Sequence, residues 1–304
     1  MERRYGYCCI NLSLEKERVS TNRGMVKRTF LERGLPYASQ LALLNVKDLY
    51  KVLRWNADTG IRMYRMSSDI FPWCSEYELS DLPDFEEIAI ELKMCGDLSK
   101  TTDQRITFHP SPYCVIASER QDVVQKSFKE LRQHAEIMDL MGLDQSYDYP
   151  INIHINTSKP TKEEAAERFC KAYLELPDNV KKRLVVEVDD KKSQFTSVDL
   201  AQLVHSKVGI PVTFDYLHNI CNPPEGISEA ESLSICVSTW GDFIPITHYS
   251  DSRKLNEDVS AKELAHSDWI WGNPETYDMN FDIEFEVKMK DLALLRYLDS
   301  KNNQ

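Results

Sequence analysis

The chain offers no apolar run near the length that spans a bilayer. It has no C-x-x-C pair, no G-x-G-x-x-G after a strand, no P-loop, no internal repeat and no low-complexity tract. The first absence excludes a helical membrane-spanning protein. The second excludes a structural zinc ribbon. Without a glycine-rich phosphate loop, a doubly wound nucleotide-binding sheet loses its main support. Positive charge is short as well: 37 Lys and Arg stand against 49 Asp and Glu, a net charge of −12. A protein that coats nucleic acid nonspecifically is not built this way, although cations held in a cleft would change the local field. The opening MERRYGYCCINL has too short and polar an apolar part for a secretory signal. The chain therefore reads as intracellular: cytoplasmic and nucleoid-associated, or nuclear in a eukaryote. Its eight cysteines are scattered and the adjacent pair Cys8 and Cys9 does not suit a bridge, so reduced, mostly buried thiols are expected.

What is present is ordinary in amount and unusual in placement. Hydrophobic residues make up 42% and charged residues 28% of 304 positions, enough for a substantial core. Short β-branched or aromatic runs recur at 4–9, 61–66, 105–109, 150–155, 183–188, 210–215, 243–249 and 282–287. Helical patterns lie between them. Over 122–141, Val124, Phe128, Leu131, Ala135 and Met138 make one apolar face. Over 161–176, Thr161 and Glu164 form a capping-box pattern ahead of Phe169, Tyr173 and Leu176. Over 37–57 the stripe is Leu41, Leu44, Val46, Leu49, Val52 and Leu53. Eight strands alternating with helices predict a single (β/α)8 TIM barrel, one domain over 1–304. The polar segment 12–36 reads as a long loop rich in Lys and Arg, either functional or merely solvated.

The strand ends carry the chemistry. His109 ends the third strand, His154 lies near the end of the fourth, Glu187 ends the fifth, Asp215 the sixth, His248 the seventh and Glu286 the eighth. His218 and His266 follow the sixth and seventh strands. All these ends converge on the face where barrel enzymes build their sites. Five of the seven histidines fall here; His134 and His205 sit on helix patterns and read as surface or boundary residues. Converging imidazoles and carboxylates call for cations, and mixed N/O donors suit Mn²⁺, Zn²⁺ or Fe²⁺. Two or three ions are expected, with Glu187 placed to bridge. Such sites are typical of phosphodiester hydrolysis. A sugar isomerase or epimerase is the rival on the same barrel, and a non-catalytic lesion-binding protein a weaker one.

In RYGYCCINLSL, STNR, LRWNADTGIRMYRMSSDIFPW, FHPSPY, VVEVDD, FDYLHN, THYSDS, AHSDWI and DIEFEVKMKD the chain resembles the ultraviolet damage endonucleases, which are related to the endonuclease IV abasic-site enzymes. The resemblance runs along nearly the whole length. It implies a barrel holding up to three divalent ions, Mn²⁺ first, that cuts damaged double-stranded DNA 5′ to ultraviolet photoproducts and leaves a 3′-hydroxyl. His109, His154 and Glu187 match one ion site; Glu187, Asp215, His248 and Glu286 a second; His218 and His266 a third. Glu187, Glu286, His218 and His266 take the catalytic roles. Tyr7 and Asn11 match residues near the damaged nucleotides, Tyr113 matches the aromatic that probes the lesion, and Arg23 belongs to the loop expected to grip phosphates. The protein is expected to act as a monomer away from membranes. Two positions depart from the pattern. The family's His-Pro-Gly-Gln-Tyr is His109-Pro110-Ser111-Pro112-Tyr113 here, without the Gln amide. Ile246 stands where many members have a lysine that can be carboxylated. On strand eight, Asp282 and Glu284 share a side with Glu286 and are expected to pair with a barrel cation such as Arg4 or Arg65.

Overall fold

Each of the eight β-branched or aromatic runs holds a strand, and the eight strands close into one parallel barrel in chain order. The computed structural model describes residues 3–302. The strands are β1 (Tyr5–Cys8), β2 (Met63–Met66), β3 (Arg105–Phe108), β4 (Ile151–Ile153), β5 (Leu184–Glu187), β6 (Val212–Asp215), β7 (Ile246–Tyr249) and β8 (Asp282–Phe285). Helices α1 (Lys27–Thr59), α2 (Phe85–Thr101), α3 (Gln121–Leu140) and α4 (Lys162–Glu175) follow the first four, and Lys290–Asn302 closes the chain. The eight cysteines are unpaired. Among the described residues no helix is long and apolar enough to cross a membrane.

Because side chains alternate across a strand, each strand contributes to two different layers. Tyr7, Tyr64, Ile106, Phe108, Val186, Phe214 and Phe285 face outward into the main apolar core beneath the helices. Met63, Val185 and Ile246 face inward and, with Trp240, plug the bottom of the barrel. Two residues further along the same strands the interior turns polar: Arg65, Glu187 and His248 stand there. The lower layer also holds charge, but there Arg105 and Asp282 neutralise each other in a buried pair at 3.0 Å, whereas the upper layer gathers histidines and carboxylates at the barrel mouth. Gly6 is needed for closure, since a Cβ there would lie 2.7 Å from the Met63 carbonyl oxygen on the neighbouring strand.

The helix stripes largely hold. Val124, Leu131, Ala135 and Met138 are buried on α3, and Phe169 and Tyr173 on α4. Thr161 caps α4 by accepting from the Glu164 N–H at 3.2 Å, which is half of the predicted box. Three expectations are corrected. Leu44 is exposed, outside the α1 stripe. The segment 27–36 is not loop: α1 begins at Lys27 and is interrupted at Gly34, whose φ of 62° breaks the helix just before Pro36. His134 is not a surface residue. It is buried edge-on against Phe108 at 4.5 Å, with Nδ1 on the Glu130 carbonyl at 2.7 Å. Burial holds its pKa below the usual histidine range despite Glu130, so an uncharged ring fits the core.

Candidate metal centre

Glu187 ends β5 pointing up the barrel axis, and four imidazoles surround it. Its Oε2 lies 3.4 Å from His109 Nε2, 3.7 Å from His154 Nε2 and 3.0 Å from His248 Nδ1. Its Oε1 lies 3.2 Å from His218 Nδ1. That nitrogen is also 3.0 Å from the Val188 carbonyl, and one N–H cannot serve both. Given to the carbonyl, it leaves Glu187 Oε1 with no hydrogen bond and leaves Nε2 as the nitrogen on which an ion would replace a proton. The same tautomer is favoured at His109, whose Nδ1 is 3.0 Å from the Pro110 carbonyl, and at His266, whose Nδ1 is 2.9 Å from the Glu286 carbonyl. A backbone partner on one ring nitrogen turns the other into a ligand.

The sequence places these groups for local reasons. Asp215, last in β6, caps the helical turn Tyr216–Cys221 by accepting from the His218 N–H at 2.7 Å, which ties the two residues into one corner. Its Oδ2 has no hydrogen-bond partner. The rings form an arc: His109 to His154 and His154 to His218 are each 5.4 Å between centroids, and His218 to His266 is 6.2 Å. His266 reaches the arc through an isolated bridge with Ser252.

Burial opposes charge at this centre, and the charges prevail by pairing. Burial would raise the Glu187 carboxyl, but His248 and His154 hold it well below the usual carboxylate range. Burial would lower His248, but Glu187 and Glu286, working against Arg65, raise it to about 10. His218 is likewise raised well above the usual histidine value, against burial, by Asp215 and Glu187. Asp215 is raised by burial despite His218. Protons on His248 and His218 thus supply positive charge that the carboxylates demand.

Two sets of donors converge closely enough to hold an ion: His109, His154 and Glu187, and Glu187, Asp215 and His248, each within 4.8 Å of one another. Glu187 belongs to both. Buried oxygens of Glu187 and Asp215 without partners, facing imidazole nitrogens, fit a divalent cation with mixed N/O preference. Glu286, His218 and His266 lie outside these two sets among the described residues. Glu286 instead meets Arg65 at 2.5 Å and His248 Nδ1 at 3.3 Å.

Around the donors the expected pairing of Glu284 with Arg65 and of Asp282 with Arg4 holds, while Asn152 and Asp189 were not singled out by sequence, though strand parity points to both. Glu284, two before Glu286, accepts from Arg65 at 2.9 Å and Thr107 at 2.9 Å and lies 3.3 Å from His248 Nε2. Asp282 pairs with Arg105 at 3.0 Å and Arg4 at 3.3 Å. Asn152, two before His154, donates to Glu187. Asp189, two after Glu187, sets its Oδ1 3.2 Å from His154 Nδ1 while Oδ2 accepts from the Phe195 N–H at 3.2 Å. Carboxylates behind metal-binding histidines orient the ring and raise its basicity. Asp189→Ala is therefore expected to weaken divalent-ion binding by about 10–100-fold, measured by calorimetric titration; unchanged affinity would show that Asp189 serves only its loop.

The DNA-facing assignments separate. Tyr113 is 84% exposed. Tyr7 is buried: Gly6 and Cys8 occupy the inward-facing positions of β1, so Tyr7 points outward under α1, its hydroxyl donating to Asn56 and accepting from Asn11, both at 2.8 Å. Asn11 Oδ1 accepts from the Leu14 N–H, so the pair braces the β1 loop rather than facing a ligand. Arg23 is spent inward too, on Asp48 at 2.5 Å and on the carbonyls of Ser20 and Arg18. Tyr7 and Asn11 are thus buried, and Arg23 is partly exposed with its guanidinium held by Asp48.

Comparison with known proteins agrees along the chain. A family model described as UV-endonuclease UvdE matches residues 3–303. A UV DNA damage endonuclease of Clostridium perfringens is 32% identical over 97% of this chain and 70% of its own length. The UV-damage endonuclease of Schizosaccharomyces pombe is 34% identical over 96% of this chain and 49% of its own length. The crystal structure of SacUVDE superposes with a TM-score of 0.85 at 30% identity, covering all of both chains.

Proposed function

From the premise that the chain belongs to the UV-endonuclease UvdE family, we propose that it is a metal-dependent DNA endonuclease that cuts damaged duplex immediately 5′ to cyclobutane pyrimidine dimers and 6-4 photoproducts, beginning their excision. The observation that supports this best is Glu187, one buried carboxylate shared by two converging donor sets at the barrel mouth. Family membership favours this over the sugar isomerase on the same barrel.

His109, His154, Glu187, Asp215 and His248 would hold two divalent ions, Mn²⁺ being our assignment, with His218 and His266 at the outer end of the arc for a third. Ions so held supply Lewis-acid activation of water and neutralise charge on the phosphate. The chain's own groups do the rest. Glu187 keeps the donor sets in register, while Glu286, braced by Arg65 at 2.5 Å, orients the incoming water. Arg65, buried among Glu284, Glu286 and His248, keeps the stacked carboxylates from repelling one another. Through an ion they would hold, His218 and His266 would help neutralise charge on the departing 3′-oxygen. Damaged bases cost less to unstack than intact ones, which supplies part of the selectivity.

The test is a labelled duplex carrying one cyclobutane dimer, incubated with the protein and Mn²⁺. A single nick 5′ to the dimer, leaving a 3′ end that a polymerase extends, is expected. Cutting elsewhere, or equal cutting of undamaged duplex, would overturn the proposal.

A further inference from the structure

The most exposed aromatic side chain on the barrel face, Tyr113, stands on a turn that is fastened before any ligand arrives. The Cys114 N–H returns to the Ser111 carbonyl at 2.9 Å, closing a four-residue turn with Pro112 and Tyr113 at its tip. Pro112 occupies the turn position that its ring pre-sets. Cys114 is buried behind it, and the Val115 N–H donates to Ser127 Oγ at 2.8 Å. The other end of the turn is held by one side chain. Glu130, on α3, accepts from the Ser111 N–H at 2.7 Å and from the Ser111 hydroxyl at 3.1 Å. The Tyr113 ring forms one wall of an open cleft of about 470 Å³ whose other walls include Phe71, Trp73 and Pro112. The cleft is mixed, with Trp73 and Tyr113 as flat faces on which a nucleobase can stack and Lys126, Gln133 and Glu130 among its polar lining.

We propose that Glu130 is a positioning residue for damage recognition: by holding Ser111 it fixes the Pro112–Tyr113 turn, so that the ring is ready to stack on an unpaired nucleobase received in the adjoining cleft. This rests on the reading of the protein as a nuclease of damaged duplex. A loop ordered in advance does not lose that freedom on binding, so the effect falls on substrate capture and not on the cutting step. Glu130 touches no donor of the metal centre among the bonds described for it.

The experiment compares the full chain with Glu130→Ala, Glu130→Gln and Ser111→Ala on a duplex carrying one cyclobutane dimer, with Mn²⁺. Glu130→Ala should raise KM about tenfold while kcat stays within about twofold. Glu130→Gln should return KM to within about twofold of the parent, because its amide oxygen accepts from the Ser111 N–H and its amide nitrogen donates to the hydroxyl. Ser111→Ala keeps the backbone bond and should fall between. It also carries the test if Glu130→Ala melts much lower than the parent. An unchanged KM, a loss carried by kcat, or no rescue by Gln would overturn the proposal. If the parent chain makes no nick, the nuclease reading fails separately. Fluorescence-anisotropy binding of damaged against undamaged duplex then tests Glu130 on its own, with loss of that preference in the Ala variant expected and its retention overturning the inference.

Discussion

Glu187→Gln is expected to abolish nicking of ultraviolet-irradiated duplex in the presence of Mn²⁺, by about a thousandfold or more in kcat/KM. The substitution keeps the shape of the side chain and removes its charge. Glu187 is the one residue common to both converging donor sets, so its loss weakens two ion sites at once. Asp215→Asn or His109→Ala removes a donor from one set only, and each should leave more residual activity and more bound metal. The measurement pairs single-turnover nicking with metal content after dialysis: Glu187→Gln should lose both, and the single-set variants should lose about half of the metal. The amide also leaves His248 without the first of the carboxylates that raise its pKa, so the ring should titrate nearer to the ordinary histidine range. Parent-like nicking by Glu187→Gln would sink the assignment outright.

Much of this centre was legible because strand parity is a strict rule. Once Glu187 is placed facing the axis, position 185 must face inward below it and position 189 above it, and Val185 in the plug and Asp189 behind His154 obey. The strands were readable because β-branched and aromatic residues fill both faces of a buried parallel strand. What was not legible has physical causes. On β1, Gly6 and Cys8 take the inward-facing positions, which turns Tyr7 out under α1, where Asn56 takes its hydroxyl. Gly34 and Pro36 look like loop residues, yet they interrupt a helix already begun at Lys27. His134 reads as a surface residue because helical position alone does not reveal an edge-on contact with Phe108, 26 residues earlier in the chain. The expected pairing of Glu284 with Arg65 holds and Glu286 joins it, at positions about 220 residues apart. Only barrel closure between β1 and its neighbours brings them together.

Stripping divalent ions with a chelator should remove nicking entirely, and Mn²⁺ should restore it with an affinity that depends steeply on pH. In the ion-free protein Glu187 and Glu286 raise His248 to about 10 against the effect of burial, and Asp215 and Glu187 raise His218. Both rings therefore hold protons at neutral pH, and an ion that takes their place must release them. Apparent affinity should then climb about tenfold per pH unit for each proton displaced, from neutral pH until His248 titrates near 10. The stability of the ion-free protein follows the opposite course. A raised histidine contributes fully below its unfolded value of about 6.5, and that contribution disappears as pH rises through about 10. The gap in Tm between Mn²⁺-loaded and stripped protein should therefore widen from pH 7 to pH 10. Calorimetric titrations in buffers of different ionisation enthalpy count the protons released at pH 7.5. A release of zero, or an affinity flat across that range, would mean that the buried cluster is held by its own hydrogen bonds and that no ion replaces the histidine charge.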